Sequence, residues 1–366
     1  MEAKILTILL YLLIMIFIPL FISLAAKYKN KKRRYGYYII SLIIPSLVAA
    51  FKGTTGTDSL MYNNIYDNLV VQRSGQVEVG YMWLNNTFSK LNIPYQLFLF
   101  FLYFVMLYLI LISLDRYRDS INMYVASFIL FSTYYFSSFN IMRQCIAVSI
   151  CFYAIISYLE TKKIKALILI LLASLIHITS LLCIVIFFIA QLYKRKSKKA
   201  FLIASVIVGS FLLFNKQLIG NIILKVSNNT YYSDYLIKAT NNNLGIISYL
   251  IELSPIIILL ILYFNYFKET KKLFIIYSLL IIGYIISALS SVADTQAARM
   301  GLYFTTFNTL ILGFCSNKNI RLNGVFTLDK DVISSVILLY YFIMFIYSII
   351  IRNFGEIIPY IPFSTL

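Results

Sequence analysis

The stretch Ala166–Ala190 (ALILILLASLIHITSLLCIVIFFIA) limits what this chain can become more than any other. It is long enough to cross a bilayer, whose hydrocarbon core of about 30 Å asks for about 20 helical residues. Yet it is basic at both ends, with Lys162, Lys163 and Lys165 before it and Lys194, Arg195, Lys196, Lys198 and Lys199 after it. Short basic loops stay on the cytoplasmic side, so both ends belong to the same side. The chain's single histidine, His177, lies near the middle. A simple crossing would export the second basic run. A helix that enters, breaks at His177 and returns keeps both runs in place, and this is the expected form. Each arm then has about 11–13 residues, or roughly 17–20 Å at 1.5 Å per residue. Ser174, Thr179 and Ser180 are expected to satisfy backbone groups freed at the turn, which is tolerated at membrane depth only inside protein or a wet cavity.

Apolar runs recur along the whole chain, near 3–26, 37–51, 95–114, 121–138, 142–159, 200–214, 244–264, 273–292, 300–315 and 332–351. Hydrophobic residues make up 61% and charged residues 13%, against roughly 45–50% and about 25% in soluble domains. The expected fold is therefore all-α and polytopic. It has about ten transmembrane helices plus a broken or re-entrant helical pair around His177, with residues 1–366 forming a single integral membrane domain. The first run exceeds a signal-peptide core of about 7–15 residues, and its basic cluster follows it, so it reads as a retained span. Lys27–Arg34 (KYKNKKRR) is a cytoplasmic anchor. It places the N-terminus, the loops near 52–94 and 215–243 and the C-terminal tail outside. The formal charge of +18 is then mostly an orientation signal, and no nucleic-acid partner is implied. Cys145, Cys151, Cys183 and Cys315 fall in or beside apolar runs without a CxxC pair, which suits buried small side chains. One histidine and no cysteine pair argue against a metal site, and no cofactor is expected.

This topology gathers the unusual polar groups on the outer side. The loop from Lys52 carries Asp58, Tyr62, Asn63, Tyr66 and Asp67, then Glu78, Gly80, Tyr81 and Trp83. Asp58 is placed to cap a helix over 59–69, with Tyr62 and Tyr66 on one face. Carboxylates beside aromatic rings suit a sugar; a structured loop with interfacial aromatics is the plain alternative. Arg143 and Gln144 sit where the fifth run begins at the outer face. An arginine there suits phosphate oxygens, and snorkelling to the interface is the alternative. Arg299 and Tyr303 are four apart and share a helix face, with Asp294 as a possible local partner for Arg299. His177 reads as a proton carrier or a phosphate contact, or as a packed neutral imidazole. Glu252, two residues before Ser254-Pro255, is an intramembrane carboxylate and so a functional candidate.

Five pieces of the chain resemble the EpsG family of Wzy-like polysaccharide polymerases: GTDSLMYNNIY at 56–66, EVGYMWL at 78–84, FNIMRQCIA at 139–147, LLASLIHITSLL at 171–182 and ARMGLYF at 298–304. The resemblance implies an extracytoplasmic glycosyltransferase of exopolysaccharide, capsule or O-antigen synthesis in the bacterial cytoplasmic (inner) membrane. Its substrate would be a lipid-linked oligosaccharide on undecaprenyl diphosphate. Its neighbours would be membrane lipids and the flippase and chain-length regulator of the same pathway. By resemblance, Asp58, Glu78, Arg143, His177 and Arg299 are the important positions. The mechanism expected from the residue types gives Arg143 and Arg299 the diphosphate. It gives His177, Asp58 or Glu78 the acceptor proton, and leaves Tyr62, Tyr81, Gln144, Glu252 and Tyr303 to sugar contact or support. The competing reading is a transporter or flippase of lipid-linked oligosaccharide. Such proteins often carry internal repeats, and none is visible here. A membrane acyltransferase is a third reading, disfavoured by the apolar LIHIT context of the histidine.

Overall fold

The computed structural model describes residues 2–67, 77–192, 244–293, 295–322 and 326–363. The chain forms two compact units, one of residues 1–183 with 308–366 and one of 184–307.

The first unit is a helical bundle built around α5 (Tyr95–Asp115). Its Tyr103, Met106, Leu107, Ile110 and Leu111 are fully buried, packed between α2 (Lys31–Ala50) and α8 (Met142–Leu159). α1 (Glu2–Ala26) lies against α2 and α6 (Met123–Ile129). α6 continues through a π-helical stretch, Leu130–Tyr134, into the short α7 (Tyr135–Ser137). The loop after α2 contains α3 (Ser59–Tyr66) and α4 (Val79–Lys90), and α9 (Lys163–Ser174) packs on α8.

In the second unit lie α10 (Val185–Leu192), α11 (Leu244–Leu262), α12 (Phe264–Glu269), α13 (Lys271–Ala293) and α14 (Thr295–Thr305). α14 folds back on α13 at two glycines. A Cβ on Gly283 would stand 2.7 Å from that of Phe304, and one on Gly301 would stand 2.8 Å from the Gly283 carbonyl. The chain then rejoins the first unit with α15 (Asn308–Cys315), a two-stranded antiparallel ribbon of β1 (Ile320–Leu322) and β2 (Phe326–Leu328), and α16 (Lys330–Phe345) with its π-helical extension to Ile351.

The helical class is as expected, with the small ribbon added, but the span count is not. Among the described residues, five helices are long and apolar enough to cross a membrane: Glu2–Ala26, Tyr95–Asp115, Met142–Leu159, Lys271–Ala288 and Lys330–Ile351. The reasons are local. α2 starts inside the basic cluster, where the Asn30 side chain accepts a hydrogen bond from Arg33 N (3.2 Å), so four cations occupy its first turn. The run at 121–138 yields only Met123–Ser137, and that at 300–315 divides at Thr306-Phe307 into α14 and α15. The run at 200–214 and the loop at 215–243 lie outside the described residues.

The break at His177 is present. α9 stops at Ser174, residues 175–177 are non-helical, and a 3-10 turn follows at Ile178–Ile184. Ser180 Oγ reaches the carbonyl of Ile170 at 3.4 Å. In a straight helix those residues would stand about 15 Å apart along the axis, so the chain turns back on itself.

Ion pairs fix one end of the bundle. Arg34 faces Asp115 through Nε at 2.8 Å and Nη2 at 3.2 Å, with both side chains 4% exposed. Tyr38 Oη donates to the same carboxylate (2.9 Å), and Arg116 pairs with Glu160 (2.9 Å). The start of α2 and the ends of α5 and α8 therefore share one end, and the 52–94 loop lies at the other. Removing one partner of a buried pair leaves an uncompensated charge, a loss of about 3–5 kcal/mol. Asp115→Ala is expected to lower the unfolding temperature of the purified protein sharply. Arg34→Met combined with Asp115→Leu should recover most of that loss; if the double variant melts no higher than the single one, burial of the charge is not the cause.

Candidate functional site

Glu78 joins three segments that are far apart in sequence. It precedes α4 with extended backbone (φ −66°, ψ 144°), and its carboxylate makes no cap bond to its own helix. One oxygen instead meets Arg143 Nη1 at 2.7 Å. The other accepts from the backbone N–H of Ile178 (3.3 Å) and lies 3.6 Å from His177 Nδ1. Thr179 Oγ1 is 3.0 Å from the same ring nitrogen. The backbone of α4 holds the break as well, since Gly80 N (2.8 Å) and Tyr81 N (3.3 Å) both donate to the Leu175 carbonyl. This approach requires glycine, because a Cβ on Gly80 would fall 2.6–2.9 Å from the Cβ and backbone of Leu175. Ser174 and Ser180 bond the carbonyls of Leu171 and Ile170, as the turn demands, while Thr179 turns to the imidazole. The side chains of Arg143, Glu78 and His177 keep 17%, 20% and 24% of their surface exposed, so an external ligand can reach all three.

Arg143 lies over two tyrosines, its guanidinium carbon 5.9 Å from the Tyr62 ring centre and 5.7 Å from that of Tyr81. The rings meet edge to face at 6.2 Å. Both are buried, so of the two roles expected for them, sugar contact or support, their position is that of support: they form the floor under the arginine. Burial pushes the Tyr62 phenol up to about 12, with the Arg143 charge acting in the opposite sense. The exposed aromatic of this region is Trp83, at 64%. Gln144 is buried one residue beyond Arg143.

Asp58 corrects a second expectation. It stands at the N-cap position of α3 but makes no cap bond, because its backbone is already helical, and the helix ends at Tyr66 rather than 69. Its carboxylate accepts from Thr57 Oγ1 (3.1 Å). Arg299 and Tyr303 share α14, as their spacing requires, in the second unit; Tyr303 is buried there. Asp294 lies outside the described residues, and so does the side chain of Glu252, although α11 includes that position.

Sequence reasoning missed what surrounds this cluster. Lys52, at 1% exposure, donates to the carbonyls of Phe139 (2.6 Å) and Thr55 (3.3 Å) and to Ser59 Oγ. The C-terminal tail also covers the loop, with Gly56 N bonded to Glu356 O, Thr57 N to Gly355 O, and Ile361 N to Thr55 Oγ1 (2.7 Å). The one available signal was the glycine pair Gly53 and Gly56, both at positive φ (52° and 96°).

The first unit thus carries an acid–arginine–imidazole cluster on aromatic packing at one end of a bundle of apolar helices. The chain belongs to the EpsG family, whose model matches residues 35–361. That membership makes it a membrane protein of polysaccharide biosynthesis. No curated protein and no solved structure matches the chain.

Two outcomes test the geometry. Gly80→Ala is expected to push α4 off the break and to lower stability or expression as much as a core substitution does, by about 1–3 kcal/mol; wild-type melting would refute the close approach. Lys52 supplies the second. Burial pushes its ammonium down from 10.5 to about 7, against the opposing pull of Asp58. Between those values the unfolded chain holds a proton that the folded chain releases. The burial cost is thus fully present below about 7 and relieved as pH rises through that value. From about pH 6 to about pH 9 the wild type should therefore gain stability relative to Lys52→Met. Parallel pH profiles of the two proteins would show that Lys52 does not titrate there.

Proposed function

We propose that the chain is a polysaccharide polymerase acting at the outer face of the bacterial cytoplasmic membrane. The observation that carries the proposal is the partly exposed Glu78–Arg143–His177 cluster on a buried tyrosine floor. A chain growing on polyprenyl diphosphate is the donor, and a hydroxyl of a lipid-linked repeat unit is the acceptor.

The acceptor oxygen bonds to the anomeric carbon of the donor as the bond from that carbon to the diphosphate oxygen breaks. The electron pair leaves on the diphosphate. Arg143 meets the charge developing there, and a preorganised cation of this kind contributes most where charge appears in the transition state. The acceptor proton passes to His177. Its Nδ1 is engaged by Thr179 and faces Glu78, which orient the ring, and a general base must lie within hydrogen-bond reach of the proton it takes. Glu78 is the orienting group: its oxygens are taken by Arg143, Ile178 N and the imidazole. Trp83 offers an exposed ring to a sugar face. Arg299, on the second unit, stays a diphosphate candidate by its sequence context.

Purified protein in vesicles, supplied with lipid-linked repeat units, is expected to make a ladder of longer products. Arg143→Ala should reduce the rate about 100- to 1000-fold. Arg143→Lys should recover little, because an ammonium lacks the planar donor fork. Repeat units that only change leaflet, with no ladder, would identify a flippase instead. Unchanged polymer length in Arg143→Ala at normal protein levels would remove this residue from the mechanism.

A further inference from the structure

The turn that delivers Arg143 is gripped from both sides. Lys52 comes from the loop after α2 and places its ammonium on the Phe139 carbonyl (2.6 Å), 5.7 Å from the centre of that residue's ring. The same nitrogen bonds Ser59 Oγ at the first residue of α3 and Thr55 O within the glycine turn. Asn140 reaches the opposite way, from the turn to the loop. Its Oδ1 accepts from Thr57 N (2.7 Å) and Thr57 Oγ1 (3.2 Å). A Cβ on Gly56 would stand 2.7 Å from that oxygen, and Gly355 of the tail closes on the same amide. Tyr103 Oη holds the neighbouring Ser138 carbonyl at 2.9 Å. Three residues after Asn140 comes Arg143, and three residues after Ser59 comes Tyr62, whose ring lies under the guanidinium.

We propose that Lys52 and Asn140 form a reciprocal clamp that positions Tyr62 against Arg143, and that both are positioning residues of the site. The inference rests on the polymerase reading above for its activity readout, but its geometric readout stands apart from it. A buried ammonium is costly unless its donors are met. Here one cation joins the carbonyl before α8, the hydroxyl that opens α3 and the turn between them. Asn140 adds a bond in which a side chain of the turn accepts from the loop backbone, so α3 cannot shift along α8 without breaking both. Misplacement of a reacting group by about 1 Å costs on the order of 100-fold in rate.

The test uses the full-length protein in vesicles, with Lys52→Met, Lys52→Arg, Asn140→Ala and Asn140→Asp beside Arg143→Ala. Spin labels replace two exposed side chains, Leu60 on α3 and Leu97 at the start of α5. Lys52→Met and Asn140→Ala are expected to broaden the label-to-label distance distribution about twofold and to slow polymer extension at least about tenfold at saturating substrate. Lys52→Arg keeps a donor cation and Asn140→Asp keeps the acceptor oxygen, so each should restore part of both readouts. These variants also serve where the more severe ones fail to accumulate. Unchanged distances in Lys52→Met and Asn140→Ala overturn the clamp, whatever the activity. Full activity in both, beside an inactive Arg143→Ala, overturns it too. An active Arg143→Ala removes Arg143 from the mechanism instead, and the distance readout then decides the clamp alone.

Discussion

A bilayer offers no water to the peptide groups of a helix that stops partway through it, and each such group left unmet costs several kcal/mol. α9 stops at Ser174, and the groups freed beyond it are met by α4: Leu175 O by Gly80 N and Tyr81 N, Ile178 N by the Glu78 carboxylate. This single requirement orders the end of the first unit where α4 and α9 meet. It fixes where α4 begins, why residue 80 has no side chain, and where the Glu78 carboxylate stands. Arg143 then binds that carboxylate, and the two tyrosines lie under Arg143. The histidine is held at the break by the same acid that closes it.

The two ends of the bundle use charge differently. At one end Arg34 and Asp115 are both almost wholly buried, with Tyr38 completing the carboxylate's bonds. A closed pair like this adds little net stability, because the loss of hydration offsets the attraction, but it penalises every packing that separates the partners. It therefore sets the register of α2 against α5. At the other end the Glu78–Arg143 pair remains partly exposed. A charged ligand can reach it there and exchange partners with it.

Much of the helical arrangement was legible because apolar length and basic flanks are one-dimensional signals. The break at His177 was expected from the basic runs that flank the apolar stretch, and the bond from Ser180 to the Ile170 carbonyl closes it. Tyr62 and Tyr66 have the spacing of one helix face, but spacing does not say whether another element covers that face, and both are buried. Two expectations failed. Asp58 has the residue type of a cap, but its backbone had already turned helical. The run at 300–315 is apolar throughout and still divides at residues 306–307. Lys52 and the tail were illegible because their roles depend on partners 87 and 306 residues away. No local pattern marks a lysine that folding will bury.

The charge of the cluster bears on what it can bind. Glu78 and Arg143 cancel, so the pair by itself draws a diphosphate weakly. The Arg143 Nη1 donor is already engaged by the acid, and its Nε is buried without a bond. An incoming anion must therefore compete with Glu78 for the guanidinium or be met by further positive charge. Within this cluster the only source is His177, which can carry a proton beside the same carboxylate. In the proposed reaction, an imidazole that gains a proton from the acceptor hydroxyl becomes a cation as further negative charge builds on the departing diphosphate. In that proposal proton transfer and charge stabilisation reinforce each other at the moment of bond breaking. On the same proposal, the acid that stands between the arginine and the histidine gives the imidazolium a counter-charge as it forms.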